Sequence, residues 1–172
     1  NQWPQTARTV LVVLMFIGAC AGSTGGGIKV SRITVMMKTM FKELHSYVFP
    51  KSVRKIKIDD KPVEHEVIRG INVFFVTFML IFTISVLCRS IEGKDLVTNF
   101  TAVAATINNI GPGLELVGPT GNFSLFTDFS KYVLIFDMLA GRLELSPVLV
   151  MLYPPTWKGT FHRRRRDRRE AV

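Results

Sequence analysis

Two glycine-rich segments of this chain contain the residue types and spacings that could support chemistry. The glycine loop, GSTGGG at residues 22–27, interrupts an otherwise apolar run. Its main-chain amides could form a cradle for a phosphate, or its glycines could break a helix inside a membrane. In the carbonyl segment, NNIGPG at residues 108–113, glycine and proline prevent a helix from continuing. An uncoiled backbone of this kind could turn its oxygens towards a cation.

The carbonyl segment predicts a cation site made of main-chain oxygens. Carbonyl oxygens can replace the hydration shell of a cation where irregular backbone lines a path through the membrane. Gly111 would give the backbone its freedom at the narrowest point, and Pro112 would stiffen the turn. An ordinary surface loop beginning with two asparagines is the alternative. The candidate ligands are the carbonyl oxygens of Asn108, Asn109, Ile110 and Gly111.

The glycine loop fits a helix break better than a phosphate site. A P-loop needs a lysine followed by serine or threonine, whereas Lys29 is followed by Val30. Each glycine costs a helix about 1 kcal/mol relative to alanine, so we expect a loop that packs closely and moves. A loop under the carbonyl segment could block or open an ion path. A soluble phosphate-binding enzyme that uses residues 22–29 is the alternative of another class. The candidate gate residues are Gly22, Ser23, Thr24, Gly25, Gly26 and Gly27.

Composition and charge pattern indicate a membrane protein. The chain has 172 residues, of which 48% are hydrophobic, and a formal net charge of +9. Its basic residues stand in blocks between long uncharged runs, which is typical of membrane proteins and not of a basic surface that binds nucleic acid. The two cysteines have neither metal-ligand nor disulfide spacing. We therefore expect a lipid bilayer as the surroundings, no catalytic residues, no cofactor and no nucleic-acid partner.

Apolar runs of different lengths predict the elements that position the two segments. Asp95 is placed to cap a helix that is too short to span the membrane and suits a re-entrant half-helix. A buried core helix of a soluble protein is the alternative for the outer helix. The predicted elements are a membrane helix over 1–44 broken by a loop at 19–27, an outer helix over 70–89, a half-helix over 95–107, the carbonyl segment and an inner helix over 129–153.

The distribution of lysine and arginine predicts the orientation. These residues are dense in 29–69 and from 154 onwards, and sparse between 89 and 131. The positive-inside rule places the connector and the C-terminus in the cytoplasm and the N-terminus outside. Within the connector, 45–69, a hairpin turning at 59–60 is plausible. The tail, 154–172, contains RRRRDRR, which favours contact with anionic lipid; a membrane-anchored nucleic-acid binder is the alternative.

Three motifs together resemble one family of transporters. GSTGGGIKV (22–30), TINNIGPGL (106–114) and DMLAGRLELSPVLVML (137–152) are similar to the C-terminal part of the Trk/Ktr/HKT potassium transporters, most of all the TrkH type, with the KtrB type a cousin. The resemblance implies an all-α membrane protein with four helix–pore-loop–helix repeats around one pore. This chain would be a fragment holding the inner helix of the third repeat and the complete fourth repeat. A homodimer and a cytoplasmic nucleotide-binding ring subunit (TrkA- or KtrA-like) are the implied partners.

The resemblance also implies roles for individual residues. Residues 108–111 would be the fourth quarter of a potassium selectivity filter, and the glycine loop would gate the pore together with Arg142. An ion pair of Arg142 with Glu144, Asp137 or another repeat is the alternative. The two carboxylates could line an inner vestibule or be internal salt-bridge partners. Asp137 stands where the family commonly has a neutral residue. The sequence therefore predicts potassium uptake across the cell membrane by a multi-pass protein; sodium or mixed monovalent cation transport is the alternative, and Gly111 favours potassium.

Overall fold

The computed structural model describes residues 3–20, 22–23, 25–50, 56–58 and 61–142, and this part of the chain is mainly helical. Thr24, the predicted turn at 59–60, the inner helix beyond Arg142 with Glu144, and the tail lie outside the described residues. The elements are α1 (Gln5–Met15), α2 (Val30–Val48), β1 (Lys57–Ile58), β2 (Lys61–Pro62), α3 (His65–Ser90), α4 (Leu96–Ile107) and α5 (Asp128–Arg142), with single 3₁₀ turns at Glu115–Val117 and Phe123–Leu125.

The first predicted helix is broken, and the break is wider than residues 19–27. Helix α1 ends at Met15, and the two ends of the following loop bond to each other instead of extending the helices. The amide of Gly18 donates to the Ile28 carbonyl at 2.9 Å, and the amide of Val30 donates to the Ala19 carbonyl at 3.2 Å. These bonds satisfy backbone groups that the missing helical turns leave free.

Helices α2 and α3 are both longer than the sequence predicts. Helix α2 continues to Val48 because the first strong breaker is Pro50, which disfavours helical geometry in the residue before it. Helix α3 begins at His65 instead of residue 70, and Glu66 in its first turn complements the helix dipole. Among the described residues, α3 is the helix long and apolar enough to cross a membrane by length and composition, and α1 and α4 are shorter apolar helices.

Helix α4 lies at the centre of the described structure. Asp95 caps it as predicted, its side chain accepting a hydrogen bond from the Val97 amide at 3.0 Å. Residues 101–107 are all buried, and α4 packs against α3, α5 and α1. Phe82 of α3 joins this packing, with its ring centroid 5.1 Å from that of Phe100 and 5.6 Å from that of Phe16. A short helix that leads into the carbonyl segment is thus enclosed by protein.

Candidate ion-binding site

At the end of α4 the main chain turns back onto the helix and leaves its carbonyl oxygens free. The amides of Asn109 and Ile110 donate to carbonyl oxygens of the last turn of α4, at 3.0 and 2.9 Å. Gly111 has a φ of 114°, a conformation that any side chain would strain. None of the carbonyl oxygens of residues 108–111 accepts a hydrogen bond from a described residue. These oxygens therefore have no hydrogen bond from a described residue that a cation would have to displace.

Hydrogen bonds hold the carbonyl segment at both ends. At its start, Nδ2 of Asn109 donates to the carbonyl of Met138 on α5 at 3.1 Å. Beyond its end, the Leu114 amide donates to Oγ1 of Thr101 on α4 at 3.0 Å. The segment is thus tied to the half-helix before it and to the helix after it.

Helix α5 packs so closely against the end of α4 that the main chains of the two helices are in contact. A Cβ added at Gly141 would lie 1.7 Å from the carbonyl oxygen of Ile107. No side chain fits there, so the glycine sets how closely the two helices pack. Ile107 immediately precedes the carbonyl segment, and this contact therefore fixes the position at which the segment begins.

The glycine loop lies in direct contact with the carbonyl segment. A Cβ on Gly26 would stand 2.8 Å from the main-chain oxygen of Asn108, and one on Gly27 would stand 2.7 Å from Oδ1 of Asn108. Asn108 is 4% exposed, and its Nδ2 donates to the carbonyl of Ala104 at 2.9 Å. Within the loop, Oγ of Ser23 accepts a hydrogen bond from the Gly25 amide at 3.1 Å, which satisfies a backbone group that no helix bonds. The two glycine-rich segments therefore form one site.

Arg142 lies at the last described position of α5, beside the same site. It is exposed, and no hydrogen bond joins it to a described residue of the glycine loop. It lines a cavity of about 580 Å³ together with Asn109, Ile110 and Gly111, and Lys131 lines another part of that cavity. The structure thus brings Arg142 near the carbonyl segment, and its role at the gate stays a prediction.

The structure contradicts two alternatives for Asp137. Asp137 is fully buried, at 0% exposure, so it does not line an open vestibule. Its Oδ1 accepts a hydrogen bond from Oγ of Ser85 at 2.7 Å, and it forms no ion pair with Arg142. Both side chains are on one helix, but a spacing of five residues puts them on different faces.

An ion pair beside the site is not predicted by the sequence reasoning. Nη2 of Arg8, on α1, donates to Oε1 of Glu115, which lies two residues beyond the carbonyl segment and has a φ of 52°. The pair ties α1 to the chain leaving the site. The one signal for it in the sequence is that both charges belong to stretches expected near the outer side of the membrane.

The fold and the site together have the features expected of an α-helical membrane transport protein. Its features are a membrane-length apolar helix, an enclosed half-length helix, and irregular backbone with free carbonyl oxygens at the end of that half-helix. In a membrane, such backbone is tolerated only where protein buries it or where it lines a water-filled path.

Comparison with known proteins identifies the family. The family model described as "TrkH: Cation transport protein" matches residues 1–156. The "Trk system potassium uptake protein TrkH" of Escherichia coli K12 is 38% identical over 157 residues, which cover 91% of this chain and 32% of that protein. The protein of the same name from Vibrio parahaemolyticus is 40% identical over 156 residues, with the same coverages. The chain belongs to the TrkH family of cation transport proteins.

A solved structure supports the same assignment. The crystal structure of the potassium transporter TrkH from Vibrio parahaemolyticus matches with a TM-score of 0.81 and 39% identity, over 90% of this chain and 33% of that one. The chain spans about a third of the length of the relatives it matches. The predicted resemblance is thereby confirmed, and membership of a family of integral membrane cation transport proteins supports a location in the cell membrane.

Proposed function

We propose that this chain is part of a potassium uptake protein and supplies one quarter of its selectivity filter. The carbonyl oxygens of Asn108, Asn109, Ile110 and Gly111 coordinate potassium and replace its hydration shell. The observation that carries this proposal is that these oxygens accept no hydrogen bond from any described residue, although the amides of Asn109 and Ile110 bond back to α4. A backbone arranged in this way is held in place and still offers oxygen ligands.

The glycine loop is the gate of the ion path that leads through the selectivity filter. Gly26 and Gly27 rest against the main-chain oxygen and the side chain of Asn108, so the loop covers the first oxygen of the filter when it occupies this position. Movement of the loop uncovers that oxygen and opens the path. Arg142 holds the loop across the pore and adds a positive charge that opposes cation passage.

The remaining parts of the transporter follow from its family. Four helix–pore-loop–helix repeats surround one pore; α1 and α2 form the broken inner helix of the third repeat, and α3, α4 and α5 form the fourth. Residues 29–69, which comprise the cytoplasmic end of the broken inner helix and the connector, are cytoplasmic, and so is the C-terminus. The full-length protein forms a homodimer and works with a cytoplasmic nucleotide-binding ring subunit.

Potassium rescue tests the proposal. The full-length protein is expressed in a bacterial strain that lacks potassium uptake, and growth is measured at low potassium. We expect growth to be restored, and we expect purified protein in liposomes to carry rubidium, a potassium substitute, in preference to sodium. Failure to rescue by protein that reaches the membrane would refute potassium uptake, and equal rubidium and sodium fluxes would favour the mixed-cation alternative.

Replacing Arg142 by alanine should raise the open probability of the full-length protein. The change removes the group that we propose holds the loop, together with a positive charge beside the path. We expect a rise of about fivefold, equivalent to about 1 kcal/mol, in single-channel recordings. Lys131→Ala is the matched control, because it removes a charge on another part of the same cavity. Unchanged gating in Arg142→Ala would remove Arg142 from the gate.

A further inference from the structure

A cluster of polar side chains is buried where α3, α4 and α5 meet, and the transport mechanism above does not use it. We call it the buried polar cluster: Ser85 and Arg89 on α3, Asn99 on α4 and Asp137 on α5. Arg89 and Asp137 are each 0% exposed. Each of the three helices contributes at least one member, so the cluster joins the outer helix, the half-helix and the inner helix.

Contacts within the cluster connect all three helices. Oγ of Ser85 donates to Oδ1 of Asp137 at 2.7 Å, and Nη2 of Arg89 donates to Oδ1 of Asn99 at 3.5 Å. Asn99 is oriented by its own Nδ2, which donates to the carbonyl of Lys94 at 3.1 Å. The guanidinium carbon of Arg89 lies 3.7 Å from the centre of the Phe126 ring, a cation–π contact with the segment that leads into α5.

Glu92 adds a carboxylate at the outer rim of the cluster. It caps the start of α5, since its Oε1 accepts a hydrogen bond from the Thr127 amide at 3.1 Å. Burial would raise the pKa of this carboxyl, but the nearby Ser130 hydroxyl, the hydrogen bonds from Thr127 and the charge of Arg89 outweigh it and hold the pKa below its usual range. Glu92 is therefore ionised at neutral pH and provides a negative charge near Arg89.

Arg89 and Asp137 have no exposed surface within this chain. Among the described residues, Nε and Nη1 of Arg89 and Oδ2 of Asp137 are buried without a hydrogen-bond partner, so the charge of the cluster is only partly compensated by hydrogen bonds. Charged side chains buried in a membrane protein are costly unless they are compensated, so a charged cluster that persists there is a candidate for a functional role.

Two short links connect the cluster to the two ends of the carbonyl segment. Asp137 is adjacent to Met138, whose carbonyl holds the Asn109 side chain at 3.1 Å. Asn99 is two residues before Thr101 on α4, and the Thr101 hydroxyl accepts a hydrogen bond from the Leu114 amide at 3.0 Å. A shift of α5 at the cluster would therefore act on the start of the segment, and a shift of α4 would act on the residues just beyond its end.

We propose that Arg89 and Asp137 are positioning residues for ion selectivity, which fix the spacing of α4 and α5 and through it the positions of the carbonyl oxygens. This inference rests on the function proposed above. It assigns the cluster a role in discrimination between cations, beyond its contribution to folding.

The test compares fluxes of rubidium and sodium through the full-length protein in liposomes, divided by the amount of protein incorporated. We expect Arg89→Gln to lower the rubidium-to-sodium ratio on the order of tenfold, within the range that substitutions in buried networks away from the ligand produce. Arg69→Gln is the matched control, because Arg69 is an exposed arginine on the same helix, and its ratio should equal that of the wild type. An Arg89→Gln protein with the wild-type ratio would overturn the proposal.

A double variant keeps the test decisive if Arg89→Gln fails to reach the membrane. Arg89→Gln with Asp137→Asn leaves no charge among the four buried members of the cluster and should accumulate better than the single variant. A lowered ratio in the double variant supports the positioning role, and a wild-type ratio contradicts it. A wild-type protein with no preference for rubidium would instead refute the proposed function itself.

Discussion

Replacement of Gly141 by alanine should reduce rubidium uptake by the full-length protein at least tenfold per molecule in the membrane. The added Cβ would lie 1.7 Å from the carbonyl oxygen of Ile107, and both groups belong to helix backbones that cannot turn aside. Overpacking in a well-packed core lowers the free energy of unfolding by about 1–3 kcal/mol. The contact at Gly141 is with backbone atoms, which cannot move aside as the end of a flexible side chain can. Helices α4 and α5 must separate, which displaces the beginning of the carbonyl segment and its bond from Asn109 to Met138.

Gly70→Ala is the matched control for this prediction. Gly70 also lies inside a helix, α3, and no described atom lies within 4 Å of the Cβ it would gain. Alanine favours a helix by about 1 kcal/mol relative to glycine, so this variant should retain uptake and stability. Uptake is measured as rubidium flux corrected for protein at the membrane. Wild-type flux and selectivity in Gly141→Ala would show that the contact of α5 with Ile107 does not position the site.

Replacement of Gly26 by alanine should hold the pore open even when the cytoplasmic ring subunit is absent. The added Cβ would lie 2.8 Å from the main-chain oxygen of Asn108, so the glycine loop can no longer rest against the carbonyl segment. We expect open probability in planar bilayers to rise about tenfold in the absence of the ring subunit, which corresponds to about 1.4 kcal/mol. Overpacking typically costs about 1–3 kcal/mol, which is enough to shift the closed state by this amount relative to the open state.

Gly25→Ala is the matched control. It distinguishes the effect of disturbing the contact between Gly26 and Asn108 from a general effect of alanine in the glycine loop. Neither Gly25 nor Gly26 has a positive φ, so alanine introduces no backbone strain at either position. A Cβ on Gly25 would meet only side-chain atoms, Cβ of Ala19 at 3.1 Å and Oγ of Ser23 at 3.4 Å. Equal open probabilities for the two variants would mean that the contact with Asn108 does not keep the path closed.

Local signals in the sequence account for the elements that the structure shares with the prediction. Asp95 marks the start of α4, and the glycine and proline after Ile110 mark where helical structure must have ended. The antiparallel pair of Lys57 with Pro62 lies at the predicted hairpin. Each of these features depends on residues a few positions apart, whose capping and turn preferences can be read from the sequence itself.

Features that depend on distant parts of the chain could not be predicted in the same way. Ser85 and Asp137 are 52 residues apart, and nothing local to either indicates that they bond. Gly141 looks like an ordinary helix glycine until the packing of α5 on Ile107 is known. Arg89 ends an apolar run and would be expected at the membrane surface, yet it is fully buried by α4 and the segment leading into α5.

Locating the transported ion tests the central claim most directly. A crystal structure of the full-length protein grown with thallium, a potassium substitute with strong anomalous scattering, would show where the ion binds. We predict anomalous density on the pore axis, in direct contact with main-chain oxygens of Asn108, Asn109, Ile110 and Gly111 and their counterparts in the other three repeats. Density elsewhere, with none beside these oxygens in protein that still transports the ion, would contradict the account.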